Sequence, residues 1–359
     1  MSSVISSGSK KYAVLIGINY IGTSSELSGC INDANNLKEF LIERCNYLPE
    51  NILMLTDDKE ENKPTKQNIK NSFDLLVNKA KNEQFTELWL SYSGHGSYKN
   101  DKSGDEDDQR DEVLCPVDYS KSGMISDDYI YNNLISKLPS GITLFSLMDC
   151  CHSGTILDLP YLYKDSVKTN NNNSYEATVI SISGCRDDQT SADAYIDSGY
   201  EGAMTWSFLN ALYHVNYKAT MKELIERMRV LLYHDYTQVP MLAISSPDDV
   251  DKNLIESSSS YVSEKEVEFT MTVDYWYYES SWNVKNENSG EKIFSEDQTF
   301  DSKYQTTNTK VKLNPGSYRL IVKDTYGDGG ITSLVTCGLL KLHSAKMTSG
   351  SSAEYLFNV

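Results

Sequence analysis

The sequence reads as an α/β domain, built on a mainly parallel central sheet flanked by helices, followed by a C-terminal all-β, sandwich-like domain. Three observations carry this. Short apolar runs alternate with segments of helical spacing over the first 250 or so residues, the pattern of a parallel sheet with crossover helices. Two of those runs stop at Ser93-Gly94-His95-Gly96 and Asp149-Cys150-Cys151-His152-Ser153-Gly154, polar motifs placed where strands of such a sheet open into loops. Beyond four consecutive serines at 257–260, the spacing becomes period-two alternation broken by Asn-Pro-Gly and Gly-Asp-Gly turns.

The elements follow in order. Residues 12–18 form an unbroken apolar run, as expected of a strand buried on both faces. Residues 31–43 have helical spacing, with Ala34, Leu37, Phe40 and Leu41 on one face. A second strand is predicted at 52–55 and a helix at 65–80, with Thr65 as its N-cap. The third and fourth strands fall at 87–92 and 142–148. Residues 164–174 include four consecutive asparagines and read as a connector. Structure resumes with a strand at 178–182 and helices near 204–214 and 221–232. The organisation expected is therefore a large catalytic region at 1–163, a flexible connector at 164–175, a small catalytic region at 176–256, a Ser-rich linker at 257–263 and the all-β module at 264–359.

Composition narrows the partners. With 51 acidic against 33 basic residues, the net charge is −18. Nucleic acid is a poor match for that field, whereas metal ions and peptides bearing Lys or Arg suit it. Seven cysteines is an odd number, and their spacing shows no disulfide framework, which fits a reducing, cytoplasmic setting. The N-terminal residues show neither the basic nor the apolar part of a secretion signal, and no apolar run reaches the length of a membrane span.

A cysteine and a histidine at neighbouring strand ends are the parts of a nucleophilic site. Alternation sorts them. Asp149 and Cys151 share a strand face while Cys150 points the other way, and Ser93 shares a face with His95 if that segment stays extended. Cys151 is thus the candidate nucleophile and His95 its base. Cys150 is expected to pack as a small hydrophobe. His152 faces away from Cys151, and no third, orienting residue emerges from the sequence.

These motifs, together with Gly29-Cys30-Ile31-Asn32-Asp33-Ala34, Pro116-Val117-Asp118-Tyr119 and Ser183-Gly184-Cys185-Arg186-Asp187-Asp188, resemble those of metacaspases over about residues 10–250. The resemblance implies a caspase-like fold and a cysteine endopeptidase acting through Cys151 and His95, with the backbone N–H groups of Gly96 and Cys151 as oxyanion donors. It implies cleavage after Arg or Lys, the cationic side chain being taken by Asp33 and Asp149 with help from Ser93. A competing reading makes Asp33 only a favourable charge at a helix N-terminus. The family's calcium-dependent members gather four aspartates, which map here onto Asp111, Asp127, Asp128 and Asp158, with Asp105, Asp107 and Asp108 as substitutes. Hard carboxylate oxygens suit Ca²⁺ as activator, though an acidic run is also commonly a solvated loop. Lys164 and Lys168 are candidate self-cleavage positions. The N-terminal prodomain common in the family is expected to be missing, and the C-terminal β-module to be an addition to the family's catalytic unit. A monomer acting on protein or peptide substrates is expected. A calcium-independent, paracaspase-like protease and a non-catalytic caspase-fold scaffold are the alternatives.

Overall fold

The computed structural model describes residues 3–5, 8–100, 110–150, 156–164, 166–169, 175–184, 193–196, 199–215, 217–233, 239–255, 264–287, 289–314, 316–337 and 340–359. The side chains of 3, 100, 110–111, 193–196, 199–201, 214, 340 and 358 fall outside that description. The chain divides into two compact units, Met1–Ala211 with Lys218–Ser257, and Leu212–Tyr217 with Ser258–Val359.

The first unit is organised by an eight-stranded sheet. Its order is Val167–Thr169, Tyr161–Tyr163, Met241–Ile244, Thr178–Ser183, Thr143–Asp149, Glu87–Ser93, Lys11–Gly17 and Ile52–Thr56. The last five of these run parallel. Lys11–Gly17 and Glu87–Ser93 are buried along their whole length, which is why they appear as apolar runs rather than alternating ones. Alternate residues still go to opposite faces. Leu88, Leu90 and Tyr92 join a core with Ile69, Phe73 and Leu76 of the helix Lys66–Asn82. On the other face Trp89 lies 4.4 Å from Phe145, ring centre to ring centre, and meets Phe40 and Phe208 edge-on. Thr65 caps Lys66–Asn82 as expected, its side chain accepting the N–H of Asn68.

The antiparallel side of this sheet was not foreseen. Met241–Ile244 pairs antiparallel with Thr178–Ser183, and Tyr161–Tyr163 pairs antiparallel with Met241–Ile244. The stretch 164–175, expected to be a flexible connector, is corrected in part: Val167–Thr169 is an edge strand paired with Tyr161–Tyr163. Backbone pairing there needs only three residues a side, too few to leave a sequence pattern. A small separate sheet, Gly96–Asn100, Arg110–Leu114 and Ile125–Ser126, leads away from the third parallel strand. Among the described residues, no helix is long and apolar enough to cross a membrane.

The second unit is a β-sandwich. One antiparallel sheet has the order Thr306–Leu313, Lys265–Thr272, Ile331–Cys337, Leu340–Met347, and the other Gln298–Thr299, Ser280–Asn286, Ser317–Asp324, Ser352–Asn358. Strict alternation sends Val267, Phe269 and Met271 of the first and Leu320 and Val322 of the second into one shared core.

Candidate active site

The parallel register sets the site. Ser93 pairs with Asp149, so the strand ends that precede His95 and Cys151 lie side by side, and the Gly94 N–H donates to the Asp149 carbonyl at 3.2 Å. Cys151 itself lies outside the described residues, two positions along the chain from Asp149. Cys150 is buried in the apolar core with Tyr92 and Met148, as its strand parity required.

His95 is half-buried and held at every polar backbone atom. Its N–H donates to Tyr20 Oη at 2.9 Å. Its carbonyl accepts from Tyr92 Oη at 2.9 Å and from the Cys115 N–H at 3.1 Å. Tyr20 Oη in turn donates to the Cys115 carbonyl at 2.6 Å. Burial pushes both tyrosine hydroxyls well above their ordinary pKa, so they stay protonated as donors. Gly94 permits this clamp: a Cβ there would lie 3.0 Å from Tyr20 Oη and 3.1 Å from Tyr92 Oη.

The imidazole is oriented as well. Its Nε2 lies 2.8 Å from the Ser25 carbonyl, and its ring packs 4.6 Å from that of Tyr20. A carbonyl can only accept, so Nε2 carries the hydrogen and Nδ1 of the neutral ring keeps its lone pair. Ser25 is thus the orienting group that the sequence did not reveal. A backbone carbonyl in a loop has no side-chain signature.

Three of the acid-pocket candidates converge. Asp33, in the first turn of the helix Cys30–Cys45, is fully buried, and Ser93 Oγ donates to its Oδ2 at 2.6 Å. The Gly202 N–H donates to Asp33 Oδ1 at 3.0 Å. Asp149 Oδ2 accepts from both the N–H and the Oγ1 of Thr205, at 2.9 and 3.0 Å. A Cβ at Gly202 would collide with Oδ2 of Asp33 and of Asp149 alike, so the two carboxylates face one point. Both are held at the start of the helix Ala203–His214, where N–H groups and the helix dipole favour anions. Gly202 and Thr205 stand more than fifty residues beyond Asp149 in the chain, and only the fold associates them.

The metal candidates are less gathered. Asp127 starts the helix Asp127–Asn133 and is buried, its two oxygens accepting the N–H groups of Glu112 and Asp128 at 2.7 Å each. It thereby ties the strand Arg110–Leu114 to the helix, a structural use of the charge. Asp158 is buried with φ 51°, and its carbonyl accepts from Tyr175 Oη. Asp127, Asp128 and Asp158 do not offer a set of ligand atoms within 4.8 Å of one another. The Asp111 side chain and Asp105, Asp107 and Asp108 lie outside the described residues. The described aspartates alone therefore do not make a calcium cage. Gly96 opens the strand Gly96–Asn100 directly after His95. Lys164 and Lys168 are both exposed; the Lys164 carbonyl is held by Arg229 at 2.5 Å, and Lys168 lies in the edge strand Val167–Thr169.

Comparison with known proteins points to one family. A family profile described as metacaspase, peptidase C14 domain, matches residues 11–160. Metacaspase-1A of Neurospora crassa is 39% identical over 297 residues, covering 68% of this chain and 64% of that protein, so the match spans just under two thirds of that relative's length. Metacaspase-1 of Meyerozyma guilliermondii is 38% identical over 301 residues, covering 69% of this chain and 72% of that protein. A crystal structure of a Geobacter sulfurreducens protein superposes with a TM-score of 0.50 at 23% identity, covering 68% of this chain and 98% of that one, and speaks for the fold alone.

Proposed function

Because the chain belongs to the metacaspase family, we propose that it is a cysteine endopeptidase that cleaves after Arg or Lys. His95 Nδ1 takes the thiol proton of Cys151. The thiolate attacks the carbonyl carbon of the scissile bond, and the N–H groups of Gly96 and Cys151 receive the oxyanion, a donor type worth about 3 kcal/mol each in related chemistry. The tetrahedral intermediate collapses by breaking the C–N bond, and the imidazolium returns its proton to the leaving amine. Water, deprotonated by His95, then hydrolyses the thioester and restores the thiol.

The observation that carries this reading is the hydrogen bond from Nε2 to the Ser25 carbonyl. It fixes the tautomer with a basic Nδ1, two residues beyond a strand in register with the one that leads to Cys151. Specificity for Arg and Lys is supported by the convergence of Asp33, Ser93 and Asp149, which offers two carboxylates to one cationic side chain. Calcium activation through Asp111, Asp127, Asp128 and Asp158 belongs to the same proposal, supported by ligand type, as does self-cleavage at the exposed Lys164 or Lys168. The test is a panel of fluorogenic peptides ending in Arg, Lys or Asp, assayed with Ca²⁺ and with EGTA. Expected are turnover of the Arg and Lys peptides alone, lost in Cys151→Ala and suppressed by EGTA. Equal turnover of the Asp peptide would remove the pocket assignment. Activity unaffected by EGTA would favour the calcium-independent alternative.

A further inference from the structure

One end of the C-terminal sandwich carries an exposed aromatic rim. Four connections meet there, those that follow the strands Lys265–Thr272, Gln298–Thr299, Ser317–Asp324 and Leu340–Met347. They are tied together by backbone bonds: Tyr304 N–H to the Asp274 carbonyl, Thr325 N–H to that of Glu279, and Gly350 N–H to that of Gly327. From these loops Tyr275, Trp276, Tyr278, Tyr304 and Tyr326 project, each between 44% and 83% exposed. Isolated surface aromatics are ordinary. Four of these form a connected group, since Tyr275 lies 6.3 Å from Tyr304 and 5.0 Å from Trp276, and Trp276 lies 6.1 Å from Tyr278. Contiguous exposed apolar surface of this kind marks a place of contact.

The rim is charged in one sense. Glu279, Asp324 and Asp328 bring carboxylate oxygens within 4.8 Å of one another, and the Asp274 carboxylate fills the space that a Cβ at Gly330 would need. Asp324 and Asp274 have structural work, accepting the N–H groups of Tyr326, Gly329 and Trp276. Asp328 is exposed and Glu279 half-exposed, at the edge of the rings. Glu279 is held above the usual carboxylate range, first by partial burial and then by repulsion from Asp324, Asp328 and Asp274. An arriving cation would relieve that repulsion. The face already takes one: Lys303 Nζ sits over the Tyr275 ring at 4.7 Å from its centre.

We propose that this end of the C-terminal unit is a docking surface for polypeptide segments bearing Lys or Arg. Ammonium or guanidinium groups lie against the rings while Glu279 and Asp328 neutralise them. A bare metal ion makes no use of aromatic rings. A flat sugar face lacks a platform, because neighbouring rings here stand at 67° to 90° to one another. Anionic lipid headgroups meet like charge. That the docked chain is also a substrate rests on the Arg/Lys peptidase reading; the docking itself does not.

The test is fluorescence anisotropy of the full-length chain with a labelled nonapeptide of alternating D-Lys and Gly, which no peptidase of this type cuts. A D-Gln counterpart serves as control. Saturable binding is expected for the D-Lys peptide, with the D-Gln peptide at least about tenfold weaker. Trp276→Ala with Tyr278→Ala, and separately Glu279→Gln with Asp328→Asn, should each weaken binding about 5- to 10-fold. Both variants should leave the melting temperature and the cleavage of short fluorogenic Arg peptides unchanged. Unaltered D-Lys binding in both variants would overturn the proposal. So would equal binding of the D-Gln peptide, or response to Ca²⁺, phosphatidylcholine vesicles or a soluble oligosaccharide in place of the D-Lys peptide. Absence of peptidase activity beside intact D-Lys binding would count against the catalytic reading and leave the docking surface standing.

Discussion

His95 is positioned by three groups outside the proposed catalytic pair. Tyr20 Oη holds its N–H, Tyr92 Oη holds its carbonyl, and Ser25 fixes its ring. Tyr20→Phe removes a single hydroxyl while keeping the ring that packs on the imidazole. It should lower kcat about 3- to 10-fold with little change in KM, as befits one lost hydrogen bond worth about 1 kcal/mol. Steady-state kinetics on an Arg peptide check this, and a rise in KM alone would assign Tyr20 to substrate binding instead. Asp149→Asn keeps the shape and the acceptor for Thr205 but removes the charge. It should cut kcat/KM on Arg peptides about 100-fold while shifting the melting temperature by only a few degrees. Ser93 and Asp149 were legible in the sequence because their side chains end neighbouring strands, and His95 because it follows one by two residues. Ser25, Tyr20, Gly202 and Thr205 were not. They act through backbone groups, or across chain separations that local patterning cannot span.

At the level of elements, legibility followed burial. Four of the five parallel strands are buried over all or nearly all of their length and left apolar runs that could be read directly. The inner strand Tyr161–Tyr163 and the edge strand Val167–Thr169 are three residues each and are specified by backbone pairing, so the second reads as connector. In the sandwich, alternation made Lys265–Thr272 and Ser317–Asp324 legible. The strand Leu340–Met347 also carries a titration. His343, bonded to Ser333 Oγ at 2.9 Å, is lowered from 6.5 to about 4 by burial and then by Lys341. The unfolded chain therefore binds a proton between about pH 6.5 and 4 that the folded chain refuses, so stability is lost as pH falls through that window. The melting temperature should decline from pH 6.5 to 4 more steeply in the parent protein than in His343→Gln. Identical slopes would show that another group governs this range.

The whole molecule is strongly anionic, with a net charge of −18. Its acidic pocket and the aromatic–acidic rim of the C-terminal unit both suit cationic chains. Long-range attraction of this kind raises association rates and is screened by salt. Measured at low substrate concentration, kcat/KM for a Lys/Arg-rich peptide should fall about tenfold from low to high ionic strength. A peptide with one Arg and neutral flanks should change far less, and parallel salt curves for the two would argue against steering. That a peptidase-like unit precedes a β-module was readable from the change in spacing near residue 260. The use of that module was not, because its rim assembles from four loops far apart in the chain.

One labelling experiment goes to the heart of the chemistry. The full-length protein is incubated with an acyloxymethyl ketone peptide ending in Arg, and the site of attachment is read by mass spectrometry. A single adduct on Cys151 is expected, absent in Cys151→Ala, strongly slowed in His95→Ala and not formed with the Asp-ending reagent. Attachment to another cysteine, or equal labelling by the Asp reagent, would mean that the nucleophile or its pocket has been misplaced.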